Sequence, residues 1–167
     1  MLSGMIQRLC SAVLVAVFLT GCAKLAPPVE QRSSHGPSAK TMWTYRVVTQ
    51  NGREPNFEEQ TRWDDQLDRG ISRYLAEHPE AANSLDVSTF RFEKQVVVGM
   101  TKEQVLLLLG PPESTTGDQA EMEKLARRYW PMIQGNATEA WLYPLGWRLY
   151  FAGLRLVDIT QYLSPTE

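Results

Sequence analysis

The chain has 167 residues, 43% of them hydrophobic, and a formal net charge of −2. That length and apolar content suit one domain with a real core. The charge balance gives no footprint for nucleic acid and no basic block for an anionic membrane surface. Both cysteines, Cys10 and Cys22, fall at the N-terminal end, which leaves the remainder with no disulfide and no thiol ligand. His35 and His78 are too few and too isolated to suggest a metal site.

Arg8 precedes an uncharged apolar run, Leu9 to Leu19. The run is short of the roughly 20 residues of a spanning helix and reads as the h-region of a signal peptide. It ends at Leu19-Thr20-Gly21-Cys22, which resembles the L-x-G-C lipobox of bacterial lipoproteins. The resemblance implies cleavage before Cys22, lipidation of its thiol and an effectively permanent membrane anchor. Ala23 in the next position favours the outer membrane of a diderm host, with the protein facing the periplasm. An ordinary secretory leader with a chance cysteine is the other reading. Residues 1–21 are thus expected to be a signal peptide. Residues 22–40, rich in Pro, Ser, Gln and Ala, are expected to be the lipidated cysteine and a flexible tether.

Residues 41–95 read as an N-terminal extension. In Thr41 to Thr49, Trp43, Tyr45 and Val47 alternate with polar or smaller residues, a strand pattern closed by the Asn51-Gly52 turn dipeptide. A segment that orders only against a partner would look the same. Phe57 to His78 has the clearest helical period: Trp63, Leu67, Ile71, Tyr74 and Leu75 fall within about 120° on a helical wheel, with charged residues opposite. Gly70 interrupts it and suggests a close contact, Pro79 ends it, and His78 reads as a C-terminal cap. Asp64 and Asp65 diverge by about 100° on the wheel, so they describe a solvated face better than a catalytic pair. Phe90 and Phe92 are expected to pack.

Residues 96–163 read as a second unit. Val96 to Val98 is a short extended run. Thr101 and Gln104 have the spacing of a capping box, and Gly110-Pro111-Pro112 stops the helix that follows, with Gly110 in a left-handed C′ conformation. On the wheel Val105, Leu106, Leu108 and Leu109 share a broad face, which leaves Leu107 outward and a candidate for partner contact. Glu113 to Thr116 suits a strand. Asp118 and Glu121 form a second possible capping box, and Met122, Leu125, Ala126, Tyr129 and Trp130 recur at helical spacing up to Pro131. The apolar cluster Tyr129, Trp130, Met132 and Ile133 either folds onto the sheet or forms an exposed adhesive patch. Glu139 to Tyr143, Trp147 to Phe151 and Leu154 to Thr160 then read as a β-meander with one covered face, turning at Pro144-Leu145-Gly146 and Ala152-Gly153.

In order, Gly99-Met100-Thr101, Val105, Leu109-Gly110 and Pro112, then Trp141 and Tyr143, Leu149 and Phe151, and Leu156 and Ile159 resemble the small-lipoprotein family SmpA/OmlA, or BamE-like. The match runs from about Val96 to Thr160, and departs from the pattern in the added 117–135 segment, in Gly153, which follows Phe151 one position earlier than the family's usual F-x-x-G, and in the long helix before it. It implies an α+β domain in which helices pack on one face of a small, about three-stranded antiparallel β-meander, here with an extra N-terminal amphipathic helix. It also implies a non-enzymatic scaffold that binds an envelope protein, as an accessory to the outer-membrane β-barrel assembly machinery. An envelope-integrity lipoprotein holding wall or secretion components is the second reading, and a hydrolase using carboxylates alone is the third. No nucleophile–histidine pair, phosphate loop or metal motif stands out, so no cofactor, metal or small-molecule substrate is expected.

Overall fold

The computed structural model describes residues 29–84 and 86–164. The leader, Cys22, the first part of the expected tether and the last three residues lie outside them. Five strands form one antiparallel sheet in the order β1 (Val29–Ser33), β7 (Arg155–Leu163), β6 (Trp147–Ala152), β5 (Glu139–Tyr143) and β4 (Ser114–Thr116). A second, two-stranded sheet pairs β2 (His35–Ser38) with β3 (Gln95–Val97). The protein is therefore α+β as expected, but its main sheet has five strands rather than about three.

The helices divide between the two faces of that sheet. Trp141 pairs with Leu149 and Ala140 with Tyr150, so consecutive residues of β5 and β6 point to opposite sides. On one side Trp141, Tyr143, Leu149, Phe151, Leu156 and Ile159 pack against α1 (Ala39–Asn51), α2 (Phe57–Glu77), the short α3 (Pro79–Ala82) and α4 (Lys102–Leu109) in one core. The same core takes in Phe90, from a π-helical turn over Thr89–Glu93. On the other side Ala140, Tyr150 and the partly buried Val157 pack against α5 (Gln119–Ala126) and α6 (Trp130–Ile133), joined by a 3-10 turn. The expected single covered face is corrected: the 117–135 segment closes the second one.

Three further expectations change. The expected tether enters the fold at Val29, because β1 pairs with β7 along its whole length, from Val29–Leu163 to Ser33–Ile159. The strand expected over Thr41 to Thr49 is the helix α1. Ser38 caps it by accepting the N–H of Thr41, and Gly52 closes it with its N–H on the carbonyl of Val48. Its alternating aromatics fit a helix because it is wedged on several sides, with Trp43 stacked on Trp63 at 4.7 Å and Ala39 and Met42 in the core. Phe92 is 73% exposed while Phe90 is fully buried.

The long helix α2 occupies the expected span. Its start is a capping box between Asn56 and Glu59, and the Glu59 carboxylate also accepts two hydrogen bonds from Arg53. The Arg53 contacts and the Asn56 N–H lower the Glu59 pKa from 4.5 to about 2. A depressed carboxylate stabilises the fold above its unfolded pKa and stops doing so as pH falls through its folded one. The stability difference between the wild type and Glu59→Gln is therefore expected to hold above pH 4.5 and to vanish towards pH 2, as read by thermal unfolding across that range. At the other end His78 accepts the cap role, its Nδ1 lying 3.0 Å from the Tyr74 carbonyl and its ring stacked on Tyr74.

Candidate functional site

The motif residues converge on the seam between α4 and the sheet. Thr101 and Gln104 form the reciprocal capping box, with Thr101 N–H on Gln104 Oε1 at 2.8 Å and Gln104 N–H on Thr101 Oγ1 at 3.2 Å. Just before it, Gly99 donates to the carbonyl of Leu156, and the Leu156 N–H donates to the carbonyl of Met100, both at 2.8 Å. This short ladder fastens the helix start to β7, with Met100 buried. Val105, Leu108 and Leu109 enter the core. Gly110 ends the helix with φ 71° and ψ −167°, a region open only to glycine, rather than the left-handed one expected. Its carbonyl accepts the Tyr143 hydroxyl at 2.8 Å, and burial raises the pKa of that phenol. Arg46 of α1 caps the end by donating to the carbonyls of Leu109 and Pro111. Pro112 follows, half-buried.

The outward assignment of Leu107 is corrected. Leu107 packs against the core, and a Cβ placed on Gly70 of α2 would lie 3.0 Å from its Cδ1. Gly70 thus lets α2 approach α4. Leu106, which shares the wheel with the apolar face, is the exposed one, at 41%. An eight-residue helix packed on both a sheet and a second helix has two buried sides, which a single-face projection cannot resolve. Leu109→Ala is expected to cost about 2–5 kcal/mol and Leu107→Ser about 1–2 kcal/mol; urea unfolding of the two variants checks both.

The four candidates in the added segment separate into two kinds. Trp130 and Ile133 are core residues, 6% and 1% exposed. Tyr129 is partly buried and donates from its hydroxyl to the carbonyl of Glu30 in β1, at 3.2 Å. Only Met132 is largely exposed, at 50%. Pro131 does not end this helical stretch; it sits in the first turn of α6, where a missing N–H costs nothing. Asp118 caps α5 as expected, but Glu121 accepts the Thr116 hydroxyl instead of the Asp118 N–H.

Charged groups of the described residues form specific pairs. Asp158, buried, accepts three hydrogen bonds from Arg32 of β1 at 2.8 and 2.9 Å. Lys94 bridges Asp64 and Asp68; burial opposes its charge, and the two carboxylates outweigh that and raise its pKa. Lys102 pairs with Glu139 and lies 5.5 Å from the ring centres of Trp141 and Phe151. Arg32→Met is expected to cost about 1–3 kcal/mol, because Asp158 is left without its partner while Arg32 itself is partly solvated. Adding Asp158→Asn should recover part of the loss in a double-mutant cycle.

A groove of about 450 Å³ lies at the β5–β6 turn and is lined by Tyr45, Glu113, Tyr143, Trp147, Arg148 and Tyr162 among others. Sequence reasoning missed it, as it missed Arg46 and Lys102. Its lining residues come from α1, the β4 approach, both hairpin strands and β7, and no local spacing links them. Among the described residues no group of three or more His, Cys, Asp or Glu side chains is placed to hold a metal ion. No helix among them is long and apolar enough to cross a membrane.

The fold and these surfaces define an α+β protein with a two-sided antiparallel sheet. Compared with protein families, with curated proteins and with solved structures, the chain matches none of them.

Proposed function

We propose that this chain is a non-enzymatic, lipid-anchored envelope protein whose folded part is a BamE-like (SmpA/OmlA) scaffold for another envelope protein, acting as an accessory in outer-membrane β-barrel assembly. The observation that carries the reading is the seam: motif residues far apart in sequence meet there, from the Thr101–Gln104 capping box to the Tyr143–Gly110 hydrogen bond. Their use is capping, turning and packing. The lipobox-like run ending at Cys22 supports the anchor. Asp64, Glu139 and Asp158 are each engaged in an ion pair, with Lys94, Lys102 and Arg32. The exposed Leu106, beside Arg73, Glu77 and Glu103 in the cleft between α2 and α4, offers the partner an apolar contact with charged flanks.

Affinity purification of the full chain from solubilised membranes tests the reading. Recovery of barrel-assembly subunits is expected. Recovery of wall or secretion components alone overturns the assembly role in favour of an envelope-integrity one. The anchor has its own test: Cys22→Ser should abolish acyl labelling and release the protein from membranes, and unchanged fractionation would reject it.

A further inference from the structure

Only six residues, Ala23 to Pro28, separate Cys22 from Val29, where β1 begins. Fully extended, the chain from Cys22 to Val29 spans at most about 25 Å. Val29 pairs with Leu163 at the end of β7. The other end of β7 turns at Gly153-Leu154, nine residues back, about 30 Å away at strand rise. If the anchor reading holds, an upright sheet cannot rest its Leu154 end on the membrane, because Val29 would then stand farther from the surface than its anchor reaches.

The end that the anchor does reach has the composition of a membrane interface. Tyr45, Trp147 and Tyr162 line the groove there, each partly exposed. The Arg127 guanidinium lies 3.3 Å from the Tyr162 ring centre and Arg148 lies 5.8 Å from it. Arg128 reaches the Glu30 carbonyl, one residue from Val29. Amphipathic aromatic rings favour the headgroup level of a bilayer, and long cationic side chains can extend to it while their stems stay on the protein. At the opposite end the turn presents Leu154, 72% exposed, and Lys102 is tied to Glu139.

We propose that the lipidated protein stands on its bilayer with the Tyr45–Trp147–Tyr162 end against the lipid surface, leaving the Gly153-Leu154 turn pointing away. The proposal rests on the anchor reading. It assigns the groove at the β5–β6 turn to the membrane and leaves the cleft between α2 and α4 clear of the bilayer for a protein partner.

The mature chain would carry no free thiol once Cys22 is acylated, so a single introduced cysteine can be labelled uniquely. Glu113→Cys at the groove, Leu154→Cys at the far turn and Leu106→Cys on α4 are each labelled with a polarity-sensitive fluorophore. The full acylated protein is then reconstituted into phosphatidylcholine–phosphatidylglycerol vesicles containing a headgroup-level quencher lipid. The probe at 113 should be quenched at least threefold more than those at 154 and 106. Arg127→Glu should reduce that quenching while the circular dichroism stays unchanged. Equal quenching at all three positions, or stronger quenching at 106 or 154, overturns the orientation alone when the wild type takes acyl label. Absence of acyl label in the wild type overturns the anchor and the orientation with it.

Discussion

Trp130→Ala is expected to destabilise the protein by about 3–5 kcal/mol, the range for removing a buried large aromatic. The indole is 6% exposed and fills the second core with Met122, Ala126, Ile133, Ala140 and Tyr150. Its loss leaves a cavity over Tyr150, whose hydroxyl lies 3.3 Å from Thr160 Oγ1 and whose pKa burial pushes up to about 12. Tyr150 cannot move in without drawing its hydroxyl away from Thr160. Met132→Ala, two positions on and half exposed, should change stability by no more than about 0.5 kcal/mol. An adhesive patch would give the reverse pattern, with Trp130 neutral to folding and important to binding. Urea unfolding of the two variants separates the cases. Trp130→Ala and Leu109→Ala sit on opposite faces of the sheet, so their costs should add to within about 0.5 kcal/mol.

Gly146→Ala is the second large effect, on the order of 4 kcal/mol: about 1–3 for the left-handed backbone and about 1–3 for the crowding. Leu145 and Gly146 have φ of 58° and 71°, both positive as the mirror-image hairpin turns require. The turn lies directly on β7: the Tyr162 N–H donates to the Gly146 carbonyl at 3.0 Å, and Gln161 Nε2 donates to Leu145 at 3.0 Å. A Cβ on Gly146 would fall 1.7 Å from the Tyr162 carbonyl oxygen, which is backbone and cannot swing aside. Gly153 is the control, since its φ is also positive at 58° but nothing lies within 4 Å of a Cβ there. Gly153→Ala should therefore cost only the conformational part, about 1–3 kcal/mol. Thermal unfolding of the pair checks the difference.

Where an element is held by its own neighbours, the sequence reads well. The Thr101–Gln104 box, the Pro79 stop and the period of Phe57 to His78 all depend on residues within one or two turns, and each has the expected role in the structure. The readings that fail depend on distant partners. Val-Glu-Gln-Arg-Ser has no apolar alternation to announce a strand, because β1 is an edge strand whose pairing is supplied by β7 far along the chain. Its Arg32 exists as a structural residue only once Asp158 is opposite. In α1 the apolar residues are spread around the helix to meet β2, α4 and Trp63, so no single-face period survives. Leu106 and Leu107 exchange places because α2 covers one of them, a fact carried by Gly70 in another helix.

By itself, then, the sequence determines the Thr101–Gln104 and Asp118 caps, the stop at Pro79 and the apolar strands of the meander. These rest on hydrogen bonds and side-chain alternation between residues a few positions apart. Only the tertiary structure decides that the sheet has two covered faces, that Trp130 and Ile133 are core, and that Tyr45, Trp147 and Tyr162 share one end of the molecule. Burial and proximity of that kind are properties of surfaces brought together across the whole chain, and no local spacing encodes them.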